Sequence, residues 1–167
     1  MAEFNEREFL QAYRAQPHRA FGMLMAAFRD RIFLFCLRAA NRTDAEDLAQ
    51  EVFIRVWKGL ETFRADSSLS TWIYRIAWNV CATHLDRKGS APETVTYEEQ
   101  ERDDGDEENP RFGLGADDPA FKGFESRQLL ETLFKKIPAA HQLVLTLYYL
   151  QEQTYEEISA ITGWPVM

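Results

Sequence analysis

The stretch "PHRAFGMLMAAFRDRIFLFCLRAAN", Pro17 to Asn41, limits what this chain can become more than any other. Phe21, Leu24, Met25, Phe28, Ile32, Phe35, Cys36 and Ala39 recur at helical spacing, and further apolar residues widen the stripe beyond one face. A helix apolar over more than one face has to be surrounded, so the spacing predicts the centre of a helical bundle. No segment with strand period and no internal repeat competes with it, and the fold class expected is all-α.

The flanking segments supply the other helices. Phe4, Phe9, Leu10 and Tyr13 mark a short first helix, which Pro17 breaks. Thr43-Asp-Ala-Glu46 reads as a capping box, worth about 1 kcal/mol, opening a helix that runs to about Gly59. After the polar interruption "RADSSLS" a fourth helix is expected from near Ser70 to "DRKGS", with Gly89 as its stop. Residues 90–124 combine proline, glycine and dense acid with almost no apolar period, and read as a flexible linker. Order is expected again near Ser126, an N-cap for "RQLLETLFKKI"; Pro138 ends that helix and enters the first turn of the next. Thr154 to Glu157 forms a second capping box. Two small helical domains, residues 1–89 and 125–167, thus flank the linker. In the second, Ile158 and Ile161 are expected to be short of packing partners.

The formal charge of −8 argues at first against a nucleic-acid partner, because affinity for phosphate rests on lysine and arginine. From Glu93 to Asp118, however, eleven acids face only Arg102 and Arg111, a local charge of −9. The acidity belongs to the linker, and residues 1–92 are slightly basic. No apolar run is long enough to cross a membrane, and MAEFNEREF lacks the basic start and apolar middle of a signal peptide, so a cytoplasmic chain is expected. Cys36 and Cys81 lie in apolar helical patterns without a partner at metal spacing, and read as small buried hydrophobes. His18, His84 and His141 are dispersed. Nothing assembles a nucleophile, base and oxyanion donor, no phosphate loop is present, and neither an enzyme, a cofactor nor a metal is expected.

Two helices carry sharper signals. In the third, Ala45, Leu48, Ala49, Val52, Val56 and Leu60 form the inward stripe, while Asp47, Gln50, Glu51 and Lys58 share another face. That face is either solvated, with an internal Glu51 to Arg55 pair, or a docking surface. In the fourth, Ile73, Ile76, Ala77 and Val80 point inward, and Arg75, Asn79, Thr83 and Arg87 recur at four-residue steps, with Trp72 and Trp78 on the flank. Cations for phosphates, an amide for base edges and rings for stacking are what single-stranded DNA binding uses. The small, hydroxyl-rich loop Ser67-Ser68-Leu69-Ser70-Thr71 suits a pocket for a flipped base.

The run from Asp44 to Trp57, followed by "SLSTWIYRIA" and Asn79, closely resembles region 2 of bacterial RNA polymerase sigma factors of the extracytoplasmic-function (ECF) group. "LLETLFKKIPAAHQLVLTLYYLQEQTYEEISAITGWPV" is similar to the beginning of their region 4. The resemblance implies that Asp47, Gln50 and Glu51 dock on the clamp helices of the largest subunit of core RNA polymerase. It implies that Ser67 to Thr71 capture a base flipped from the melted minus-ten element, and that Trp72, Arg75, Asn79 and Arg87 belong to the same contact with promoter DNA. The linker corresponds to the segment that threads through the polymerase, and an anti-sigma factor is an implied partner. Two features depart from the family. "HLDRKG" sets Asp86 beside Arg87 and Lys88 where a strongly basic helix end is common, and after Gly163-Trp-Pro-Val the family's recognition helix is not reached before Met167. The expectation is a transcription initiation factor; the alternative is a sigma-like decoy that sequesters an anti-sigma factor without binding promoter DNA.

Overall fold

The computed structural model describes residues 4–89, 132–134 and 136–166, and every regular element among them is helical. The first, α1 (Glu6–Ala15), is capped by the Asn5 side chain, which accepts from the Glu8 amide at 3.1 Å. Pro17 both ends α1 and begins α2 (Pro17–Cys36): its ring keeps Gln16 out of the helical region, and at the first helical position the missing N–H costs nothing.

The α2 helix is shorter than its apolar spacing predicts, stopping at Cys36 instead of continuing to Asn41. The amides of Arg38 and Ala39 switch to tighter bonds with Phe35 and Cys36 carbonyls, and Asn41 is claimed by the next helix. That helix, α3 (Arg42–Gly59), does not use the Thr43 capping box. Asn41 stands two residues earlier and accepts from the Asp44 amide at 2.9 Å, and asparagine caps at least as well as threonine. A single 3₁₀ turn, Leu60–Thr62, carries α3 into the loop before α4 (Leu69–Arg87). The α4 start is fixed twice: Ser68 Oγ accepts from the Thr71 amide, and the Glu6 carboxylate of α1 accepts from the Leu69 amide at 2.9 Å.

Two further helices follow, α5 (Ala139–Tyr149) and α6 (Tyr155–Thr162). The α6 boundaries are those the sequence predicts. Thr154 and Glu157 exchange both capping-box bonds, and Gly163 takes a left-handed φ of 76° that closes the C-terminus without a Cβ penalty. The expected N-cap at Ser126 and the linker 90–124 lie outside the described residues, whereas 132–134 are helical.

Leu24, Phe28, Ile32 and Phe35 of α2 are buried among α1, α3 and α4, which makes α2 the centre of the bundle, as its wide stripe requires. Ile158 and Ile161, predicted to lack partners, are instead buried: α6 packs on α4, and α5 closes on both. Each isoleucine removed from water contributes about 2 kcal/mol, so the late helices join the same hydrophobic cluster as the early ones.

Candidate functional site

The α3 helix turns Ala45, Ala49, Val52, Phe53 and Val56 inward, which leaves Asp47 and Gln50 exposed and Glu51 half-exposed on one face. Arg55 Nε donates to Glu51 Oε1 at 2.6 Å, the expected intrahelical pair, worth only a few tenths of a kcal/mol where water competes. Next to these residues runs an open groove between α2 and α3. Phe21, Met25 and Phe33 line one wall, Gln50, Phe53 and Ile54 the other, and Arg29, Asp30, Arg42 and Glu46 form the rim. Ile54, at the edge of this groove, is 47% exposed, which extends the apolar lining to the surface. The sequence reading missed this groove. Its signal was the widening of the α2 stripe beyond one face.

On α4, Arg75, Asn79, Thr83 and Arg87 are exposed along one face, as their four-residue steps predict. The predicted capture loop is divided. Ser67 and Ser68 precede the helix, while Leu69, Ser70 and Thr71 form its first turn, because Ser68 takes the N-cap. Leu69 and Thr71 are buried, and the Ser68 hydroxyl donates to Thr71 Oγ1 at 2.8 Å. Trp72 is half-buried: its ring lies against the backbone of Gly59 and 5.1 Å from the Phe63 ring. The sequence placed Trp78 on a polar flank, but it is buried, edge-on to Trp164 at 5.5 Å. That correction comes from the turn after α6, which brings an indole that helical spacing within α4 cannot reveal.

Lys88, at the end of α4, donates to Asp44 Oδ2 at 2.6 Å, with His84 Nε2 at 3.8 Å from the same oxygen. The Lys88 hydrogen bond holds the Asp44 carboxyl below its usual range against the opposing effect of burial. One of the basic groups at this helix end is therefore committed to α3. Cys36 and Cys81 are buried free thiols 3.9 Å apart; donation to Cys36 and burial push Cys81 up, leaving it inert. Among the described residues no group of three or more His, Cys, Asp or Glu is disposed to hold a metal, and no helix is long and apolar enough to cross a membrane.

Residues 24–91, which contain both exposed faces, match the sigma-70 region 2 family. The likeness to known proteins extends further. The ECF RNA polymerase sigma-E factor of Escherichia coli is 25% identical over 164 residues, covering 98% of this chain and 86% of that protein. The RNA polymerase sigma-H factor of Pseudomonas aeruginosa is 28% identical over 174 residues, covering 99% and 86%. Over nearly its whole length the chain is thus similar to RNA polymerase sigma factors, and residues 24–91 match their region 2.

Proposed function

We propose that this chain is a transcription initiation factor that binds core RNA polymerase through α3 and opens promoter DNA with α4. The observation that carries the reading is the pairing of two exposed faces on separate helices of the region 2 match: acid and amide beside an apolar groove on α3, and cation and amide on α4. A groove flanked by Asp47, Gln50 and Glu51 suits a coiled coil. Apolar ridges of the polymerase clamp helices enter between α2 and α3, and their basic residues meet the acids. Fixing α3 there leaves α4 facing the melted strand.

Promoter opening then requires a base to leave the stack, which costs a few kcal/mol. Arg75 and Arg87 neutralise backbone phosphates, Asn79 reads a base edge, and Ser67, Ser68 and the first turn of α4, with Trp72 beside them, border the flipped base. Residues 125–167 act as region 4, residues 90–124 connect the two domains across the polymerase, and an anti-sigma factor restrains the free protein in the cytoplasm. Sigma factors are not enzymes, and the nucleotide chemistry remains with the polymerase. The exposed Arg75, Asn79 and Arg87 favour this reading over a decoy that never meets DNA.

Asn79→Ala separates the two faces. It is expected to retain polymerase binding and to lower open-complex formation on a promoter pool by about tenfold, the value of one good base contact. Normal opening by this variant removes Asn79 from the DNA face.

A further inference from the structure

The loop before α4, residues 63–67, is held at both ends and at few points between. Arg64, Ala65 and Asp66 are exposed, and Ala65 has a left-handed φ of 58° without being glycine. A backbone of that kind persists only where the chain on either side is fixed. Upstream the hold is apolar, with the Phe63 and Trp72 ring centroids 5.1 Å apart. Downstream, Ser68 Oγ accepts from the Thr71 amide at 3.1 Å, a bond inside one turn that cannot fix the loop relative to the other helices. The buried Leu69 side chain anchors that turn from beneath. Its polar hold comes from α1: Glu6 Oε2 accepts from the Leu69 amide at 2.9 Å, across 63 positions of sequence. Among the described residues this is the one hydrogen bond from α1 to another helix. Glu6 is itself well placed, because Asn5 caps α1 immediately before it, Phe9 is fully buried, and Phe4 stands edge-on to Phe28 of α2 at 5.2 Å.

Resting on the proposed role of residues 67–71 in base capture, we propose that Glu6 is a positioning residue for promoter opening: by holding the Leu69 amide it fixes the segment that receives the flipped base, without touching DNA itself. The first helix thereby takes part in promoter opening although it lies outside the region 2 match. Glu6 works as an acceptor of the right reach. Its charge favours the N-terminus of α4 but can only repel the phosphates of approaching DNA. Aspartate keeps the charge and falls about 1.5 Å short, whereas glutamine keeps an acceptor oxygen at the same distance and loses the charge. The two substitutions therefore separate reach from charge.

The test uses holoenzyme assembled from core polymerase and the full chain, on a promoter that the parent holoenzyme selects from a pool. Glu6→Ala and Glu6→Asp should lower open-complex formation about fivefold, Glu6→Gln should stay within about twofold of the parent, and polymerase affinity should be unchanged in all three. Asn5→Ala loosens α1 through its cap and leaves the carboxylate in place, so it should also stay within about twofold. Should Glu6→Ala lose helicity by circular dichroism, Glu6→Asp carries the comparison. A single abasic site is then moved along the minus-ten element. Where it removes the captured base, parent and Glu6→Ala should open the promoter equally, because the loop has nothing left to receive. A Glu6 deficit that persists at every abasic position overturns the positioning role. So does a loss from Glu6→Gln or Asn5→Ala as large as that from Glu6→Ala, or a Glu6→Ala chain that opens promoters as well as the parent or better. The parent's own profile separates the two claims. If one abasic position impairs the parent but the Glu6 variants match it on the intact promoter, only the role of Glu6 has failed. A parent indifferent to every abasic site removes base capture, and the role of Glu6 with it.

Discussion

Gly59 and Trp72 show how much one side chain can depend on the lack of another. A Cβ at Gly59 would come within 2.8 Å of the Trp72 ring, well inside contact distance. Gly59→Ala gains about 1 kcal/mol of helix propensity but displaces a rigid indole packed against Phe63. We expect a net loss of about 1 kcal/mol in urea unfolding, which disappears when Gly59→Ala is compared with its parent in a Trp72→Ala background; a stabilised single variant contradicts this packing. Asp44 gives a second residue-level test. Its depressed carboxyl contributes stability that is present above the ordinary value of 3.8 and lost as pH falls through the lower folded-state value. Asp44→Asn should therefore cost up to about 1 kcal/mol at neutral pH, and the gap should close only below that ordinary value. A constant gap from neutral to strongly acidic pH would mean that the Lys88 bond is not its source. The sequence revealed which α4 residues lie outward at four-residue steps, but not that Trp78 is buried, because its partner Trp164 is remote in the chain.

Helix ends were legible where one residue had no rival. Pro17, Thr154 with Glu157, and Gly163 each behave as their chemistry predicts. The α3 start was misread because two capping residues stand within one turn, and a spacing rule picked Thr43 while the chain uses Asn41. Asn41→Ala should cost about 1 kcal/mol and lower the thermal midpoint by about 2–4 °C, with Thr43→Ala within about 0.5 kcal/mol of the parent. The opposite ranking in thermal melts restores the capping box at Thr43. The α4 start differs for a related reason. Ser68 takes the cap, and Glu6 of α1, which no local pattern connects to Leu69, holds the next free amide.

For the whole molecule, the all-α bundle could be read from the chain because periodicity identifies inward faces. What α6 packs against could not, since that depends on how helices far apart in sequence meet. Ile158 and Ile161 are the clearest instance: they look unpartnered within their own segment and are buried against α4. The groove between α2 and α3 was equally hidden, being made by two helices whose apolar residues, most of them partly buried, face each other across it. Whether the α3 face and this groove bind core RNA polymerase is tested by the affinity of purified core polymerase for the parent chain and for Gln50→Ala/Glu51→Ala. The double variant should lose on the order of tenfold or more in affinity with unchanged helicity, the equivalent of at least about 1.4 kcal/mol. Equal affinity for both chains would mean that polymerase binds elsewhere on the molecule.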